Sequence, residues 1–347
     1  MKWTLHPATS FTEHKQQWDK LNAQSQNLAI LNADFVEPLI EEFFDGDELL
    51  ALGELDGTVQ MAGFFRNTGL FQWATVMPSQ APVALWLSKQ HKFIGSYIAD
   101  LASSLPGRVL SIDFLQVDSR DLTFTPAADF ELNAYITTSN RPIPPDFDEY
   151  FSSLGKNMRQ NYNKVINRAA KAGDTLDIKC ISEPEGIAAA VRLYGEIESQ
   201  GWKAQQGTAV APDNDQGRYY TSMLTRLAEK NQACCWYYLI NEQVVAVDLC
   251  VNQNGSLIIL KTTYNEAFSK QSPALQLKVE MLKHYAQHDS QISNIEFYGR
   301  VMQWHTRLDS ATRELQHVTW YKNTIVRYGI NLLKNLKSFK TADKGQS

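Results

Sequence analysis

Few polar side chains in this chain sit where apolar surroundings would sharpen their chemistry. Asp248 is one. It lies in the run QVVAVDLCV (243–251), at the same parity as Val244, Ala246 and Cys250. A carboxylate on the apolar face of a strand is a candidate general base. The alternative is a carboxylate satisfied by a turn or by Lys261, which also stands in an apolar run and needs a partner. Glu196 and Glu198 end a helical pattern just before Trp202 and Lys203. Glu198, Trp202 and Lys203 line a substrate pocket or form a surface turn. Tyr264 and Tyr298 stand at the ends of two further apolar runs. A hydroxyl there can protonate a leaving group, or be the wet tip of a core ring. Gln271-Ser272-Pro273-Ala274-Leu275 opens a helical pattern. Ser272 suits an N-cap, Pro273 the first helical position, and Ala274 is small enough for close approach. A helix start favours a pyrophosphate; the plain alternative is an ordinary capped helix. His284 and His288 stand one turn apart with no third ligand in view, and read as a solvated face.

These residues need elements to hold them, and one pattern of elements occurs twice. In the second half, SEPE (182–185) predicts a capping box before a helix marked by Ile187, Val191, Tyr194 and Ile197. A helix over 216–231 follows, then three strands at 234–240, 243–251 and 256–263. Asn241-Glu242 and 252–255 supply the turns. A helix over 273–288, with Leu275, Val279, Leu282 and Ala286 in one stripe, precedes a strand at 293–299. The first half has helices from Ser10 and over 35–44, and strands at 48–55, 58–65 and 69–76 with an Asp56-Gly57 hairpin turn. A helix at 84–104 and strands at 108–117 and 130–138 complete it. Even Gln80-Ala81-Pro82 and Gln271-Ser272-Pro273 correspond. The order points to two copies of one α/β (α+β) module.

Residues 139–149, with three prolines, read as a linker, and 150–172 as one basic helix without acids before the cap Gly173. A last helix over 315–340 is marked by Leu315, Val318, Tyr321, Ile325, Leu332, Leu336 and Phe339. Lys322, Arg327, Lys334, Lys337 and Lys340 form its polar side. Such a helix rests on anionic lipid, or packs on its own domain or a partner.

The chain has 347 residues, 44% of them hydrophobic and 20% charged, enough for a real core and against disorder. The net charge of −5 argues against a general nucleic-acid binder. Residues 1–145 carry −8 and the remainder +3, so a phosphate-rich ligand favours the second half. Cys180, Cys234, Cys235 and Cys250 lack zinc-site spacing and fit free thiols in a reducing cytoplasm. No apolar run reaches the length of a membrane span, and the start of the chain turns polar at once.

The second half resembles the GNAT acyltransferase superfamily, and more narrowly the CelD/BcsL-type acetyltransferase-6 family, related to the Fem aminoacyltransferases. The basic helix FSSLGKNMRQNYNKVINRAAKAG, EIESQGWKA (196–204), YNEAFSKQSPALQL (264–277) and IEFYGRVMQWHTRL (295–308) carry the resemblance. It implies tandem GNAT-like modules, each a mixed, mostly antiparallel sheet flanked by helices. It also implies acetyl-CoA or another acyl-CoA held by Gln271, Ser272, Ala274 and Leu275, between strands that splay at Tyr264 and Tyr298. The chain departs from the pattern twice. Gln271-Ser272-Pro273-Ala274 stands where relatives often have a glycine-rich loop. Trp304-His305 stands where they tend to have Tyr-Lys, so His305 is a positional substitute on the substrate side.

The expected organisation is a degenerate N-terminal module (1–145), a linker and basic helix (146–173), a catalytic module (174–325) and a basic C-terminal helix and tail (326–347). The expected activity is acyl-CoA-dependent N-acyl transfer by direct attack of an amine in a ternary complex. Asp248, Tyr264 and Tyr298 are the candidate catalytic groups. The resemblance implies an amino-sugar or aminoacyl acceptor in exopolysaccharide or cell-envelope synthesis, reached through a cleft between the modules. The expected location is the cytoplasm or the inner face of its membrane, with contact through 315–340. A Fem-like tRNA-dependent transferase and a non-catalytic accessory protein of polysaccharide synthesis are the alternatives.

Overall fold

The computed structural model describes all residues except 90–92, 123–127, 201–209, 289–290, 331 and 333–347. The strands are β1 (Lys2–Pro7), β2 (Leu49–Leu55), β3 (Thr58–Gly69), β4 (Gln72–Thr75), β5 (Trp86–Ser88), β6 (Ser111–Asp118), β7 (Phe130–Pro142), β8 (Leu176–Ile181), β9 (Ala233–Ile240), β10 (Gln243–Gln253), β11 (Ser256–Tyr264), β12 (Asn294–Phe297) and β13 (Ala311–Tyr321). The α-helices are α1 (Lys15–Ala23), α2 (Ala33–Phe43), α3 (Gly95–Ser104), α4 (Phe147–Ser153), α5 (Lys156–Ala172), α6 (Pro184–Ser199), α7 (Asp215–Ala228), α8 (Pro273–Gln287) and α9 (Gln303–Arg307).

Two compact units result. One comprises Met1–Gln26, Phe44–Tyr135 and Glu314–Ser347; the other comprises Asn27–Phe43 and Ile136–Arg313. Each repeats the order expected from sequence: antiparallel strands, a helix, then a strand parallel to the last of them. In the first unit β4 pairs β6 in parallel, with α3 between them in the chain. In the second, β11 pairs β12 in parallel, with α8 between. Both are mixed, mostly antiparallel sheets with helices packed on them.

The units are not contiguous stretches. Residues 27–43, read from sequence as part of the first module, cluster with the second unit. There Arg218 and Arg226 of α7 pair with Glu42 and Glu37, and Phe35 and Phe43 meet the ring of Tyr219 edge-on. Residues 139–142, read as linker, are the end of β7, with Ser139 opposite Phe297 and Pro142 opposite Asn294.

The helix expected over 315–340 is corrected more sharply. Its first residues form β13, antiparallel to β6, with Leu315, Val318 and Tyr321 fully buried. Both faces of β13 are covered: Val318 and Trp320 pack with Phe114, while Leu315 and Tyr321, of the other parity, are also buried, so buried positions recur every three residues. That spacing mimics a helical stripe. Helix returns only at 324–330.

Three smaller differences have local causes. The helix expected at 84–104 begins at Gly95, because Trp86–Ser88 pairs with β3. The basic helix is broken at Leu154 and Gly155, and Gly155 caps α5. The capping box at 182–185 does not form: Glu183 is the N-cap residue and makes no side-chain cap bond. Gly173 does close α5 in the left-handed region, at φ 76°.

Candidate active site

The second unit's core lies between the sheet and α8. Trp236, Ala246, Cys250 and Leu257 pack there against Leu277, Met281 and Leu282. Asp248 is set into this apolar face and is fully buried. Its Oδ1 accepts a hydrogen bond from Thr262 Oγ1 at 2.7 Å, and its Oδ2 accepts one from Lys278 Nζ. Lys278 also donates to Thr262 Oγ1 at 3.2 Å. The carboxylate is therefore half of a buried ion pair, with both oxygens engaged.

The partner expected for it, Lys261, points elsewhere. It donates to Gln216 Oε1 at 3.1 Å and lies over the ring of Tyr220. A bulge explains the exchange. From the hairpin turn outward the pairs run Asn252 with Leu257, Val251 with Ile258 and Cys250 with Ile259. An unbroken register would then set Asp248 opposite Lys261. The extra residue, Leu260, shifts the pairing so that Asp248 faces Thr262. A one-residue slip sends every later side chain to the other face.

Lys278 is the partner of Asp248 that the residue pattern does not single out. It lies three residues after Leu275 and four before Leu282, within the apolar stripe of α8. A lysine in such a stripe is itself the signal, because a buried ammonium needs a partner.

His305 stands in α9, 4% exposed, with its ring stacked on Trp304 at 3.5 Å and beside Phe297. The Met302 N–H donates to its Nδ1 at 2.9 Å. Burial, with the Lys278 ammonium adding to it, lowers its pKa to about 4. The ring is therefore neutral at physiological pH, and its Nδ1 faces both the Met302 N–H and, at 3.3 Å, the Met302 carbonyl.

Glu198 is buried at the end of α6, where its carboxylate accepts from the Tyr194 hydroxyl at 3.0 Å and from the Val210 N–H at 2.8 Å. Burial and Glu198 together push the Tyr194 hydroxyl well above its ordinary pKa. Glu198 thus fastens the chain at Val210 to α6. Trp202 and Lys203 lie outside the described residues. Tyr264 is exposed at the end of β11, while Tyr298 is buried just after β12 with the Arg313 guanidinium over its ring. Glu296 is also buried, and accepts from Arg313 at 2.7 Å.

The expected acyl-CoA position can be tested on its geometry. β11 and β12 pair through Ser256–Ile258 and Asn294–Glu296; β11 then continues to Tyr264 while β12 ends at Phe297. The chain between them turns into α8 at Ser272, which has φ 50° and no side-chain cap bond. The serine hydroxyl expected as a cap is exposed instead. In the same stretch the buried side-chain oxygens of Gln271 and Gln276 have no hydrogen-bond partner among the described residues. Orphaned buried acceptors are uncommon in folded proteins. The arm of coenzyme A carries amide N–H groups, so its donor chemistry fits these oxygens.

Residues 156–315 match the acetyltransferase (GNAT) domain family. No curated protein matches the sequence. Among solved structures, a conserved protein of unknown function from Bacteroides thetaiotaomicron is similar at 13% identity, over 88% of this chain and 97% of its own, with a TM-score of 0.58. FemX is similar at 12% identity, over 95% and 99%, with a TM-score of 0.56. The C-terminal domain of a protein described as a lysylphosphatidylglycerol synthetase, from Agrobacterium fabrum, is similar at 10% identity, over 92% and 96%, also at 0.56. At such identities the likeness is one of fold. Together with the family match it gives the mixed, mostly antiparallel GNAT-like architecture described above. The likeness to the GNAT acetyltransferase domain is thus carried by residues 156–315, under half of the chain.

Proposed function

We infer that the chain transfers an acetyl or other acyl group from acyl-CoA to the primary amine of an amino sugar or aminoacyl acceptor, in exopolysaccharide or cell-envelope synthesis. The observation that carries this reading is the start of α8. It opens where two parallel strands stop pairing, and it holds two orphaned amide oxygens. Gln271, Ser272, Ala274, Leu275 and Gln276 hold the coenzyme. The coenzyme supplies the thioester.

The remaining roles follow from the side chains. With Nδ1 accepting from the Met302 N–H, the neutral His305 would offer Nε2–H, a donor suited to a developing oxyanion. Tyr298 and Tyr264 are the hydroxyls available to protonate the leaving thiolate. Asp248 does not act as a free base, since taking a proton would require Lys278 to yield its bond. It holds the lysine in place. Glu198 fixes the approach to the segment carrying Trp202 and Lys203, which would meet the acceptor.

The acceptor class is supported by a cavity of about 680 Å³ beside α9. Asn157, Gln160, Asn161, Thr306, Arg307 and Asp309 line it. A hydroxyl-rich saccharide matches such a wall. Four free cysteines suit a reducing, cytoplasmic setting. A tRNA-borne donor is the second reading. It is favoured by the exposed face of α5, where Lys156, Lys164, Arg168 and Lys171 stand without an acid.

Titration calorimetry with CoA, acetyl-CoA and a longer acyl-CoA tests the proposal. Micromolar binding, weakened by Ala274→Glu, is the expected result. A folded protein that binds none of the three overturns the acyl-CoA reading. Salt-dependent tRNA binding in its place would establish the second.

A further inference from the structure

The first unit carries a surface that its catalytic partner unit does not explain. A hairpin tip is ordinarily polar, but the β3–β4 turn carries Leu70, 81% exposed, and the exposed Phe71. Phe71 is held firmly. Its carbonyl accepts from the Leu110 N–H at 2.8 Å, and the Leu110 carbonyl accepts from the Lys322 N–H at 2.9 Å. These bonds bring three places to one end of the sheet: the hairpin tip, the start of β6 and the exit from β13.

From that exit the chain enters the helix at 324–330. Ile325 and Tyr328 are 83% and 72% exposed, and Leu332 beyond them is 62% exposed. Their spacing of three and four puts them on one side. The other side is anchored. Arg327 donates to the carbonyls of Ala128 and Phe130 at 3.3 Å and pairs with Glu131 at 3.8 Å, and Val326 and Ile330 are half-buried. The helix is thus fastened by one face with its apolar face turned outward.

Beyond the Glu131 that pairs with Arg327, cations flank this patch. Arg108 is exposed beside Phe71, 5.9 Å from the ring centre, and Lys322 is exposed at the helix entry. From Lys322 to Ala342 the sequence contains five basic residues and no acid.

Single exposed apolar residues are ordinary; two separate elements presenting them together are not. A protein interface concentrates such residues in a core depleted of charge. Protruding aliphatic and aromatic side chains ringed by cations match a lipid headgroup boundary instead. We propose that this end of the first unit, Leu70 and Phe71 together with Ile325, Tyr328 and Leu332, docks on an anionic membrane surface. No helix among the described residues is long and apolar enough to cross a membrane, so the contact is peripheral. This inference does not rest on the acyl-CoA reading and can fail or hold separately.

Cosedimentation of the full chain tests it, using vesicles of phosphatidylcholine alone or of equal phosphatidylcholine and phosphatidylglycerol. The chain should pellet with the anionic vesicles and dissociate as salt rises. Leu70→Glu and the double variant Ile325→Glu/Tyr328→Glu should each lower partitioning at least about tenfold. Arg108→Glu/Lys322→Glu should act in the same direction. Thermal midpoint and acyl-CoA binding serve as controls and should not move. The proposal is overturned if the chain ignores both vesicle types or binds them equally. It is also overturned if the glutamate variants bind like the wild type. A concentration-dependent dimer that those variants abolish, seen by light scattering, would likewise replace the membrane with a second copy of the chain.

Discussion

Lys278 and Asp248 face each other in the second unit with side chains only 3% and 0% exposed. Removing one partner leaves the other charge buried and alone. Lys278→Met or Asp248→Asn should each cost about 3–5 kcal/mol. The double variant Asp248→Asn/Lys278→Met should recover much of that loss. Denaturant unfolding of the four proteins measures the coupling, and strict additivity would contradict it.

Gln276 offers a change whose effects on fold and ligand have opposite signs. Its buried side-chain oxygen has no partner among the described residues. Gln276→Leu should stabilise the free protein by about 1 kcal/mol. The same change should weaken acyl-CoA binding about tenfold if that oxygen receives an amide of the coenzyme arm. Unfolding curves and calorimetry on one variant separate the two effects.

His305 predicts a pH dependence with a definite sign. Its folded pKa, about 4, lies below the ordinary 6.5, so the unfolded chain binds the proton more readily. Stability contributed by the neutral ring is complete above pH 6.5 and declines as pH falls towards 4. The loss should reach about 2 kcal/mol, allowing for partial solvent access. His305→Gln should flatten the stability profile in that window and leave it unchanged at pH 8.

Close backbone contact fixes two glycines. A Cβ on Gly217 would lie 1.8 Å from the Ala211 carbonyl oxygen, and one on Gly195 would lie 2.3 Å from that of Val210. Gly217→Ala and Gly195→Ala should each cost at least about 1–3 kcal/mol. Glu198→Ala, which strands the Val210 N–H, should destabilise the same place by about 1–3 kcal/mol. Proteolysis within 200–212 should accelerate in all three.

Local chemistry was the legible part of this fold. Asp56-Gly57 and Asn254-Gly255 adopt the positive φ angles that their residue types favour, Asn241-Glu242 adopts them with only its asparagine so disposed, and all three turn hairpins. The order of elements in both modules could be read for the same reason. What misled was a strand buried on both faces and a strand carrying one added residue. Burial on both faces of β13 disguised a strand as a helix, and the bulge at Leu260 gave Asp248 a partner other than Lys261. Bulges leave no mark in residue type. At the candidate site, the start of α8 at Ser272–Leu275 is legible because a helix start has a signature. Lys278 was passed over because one polar residue inside an apolar stripe hardly changes its period.

The place of β13 sets a timetable for synthesis. The first unit's sheet is finished by a strand that leaves the ribosome after the whole of α5 to α9 has been made. Until then β6 has a bare edge, with Phe114 and Ile112 lacking their cover from Val318 and Trp320. An unpaired strand edge invites other chains to pair with it. A nascent chain stalled before residue 311 would therefore recruit chaperones, and a messenger cut short there would yield aggregates in place of half an enzyme.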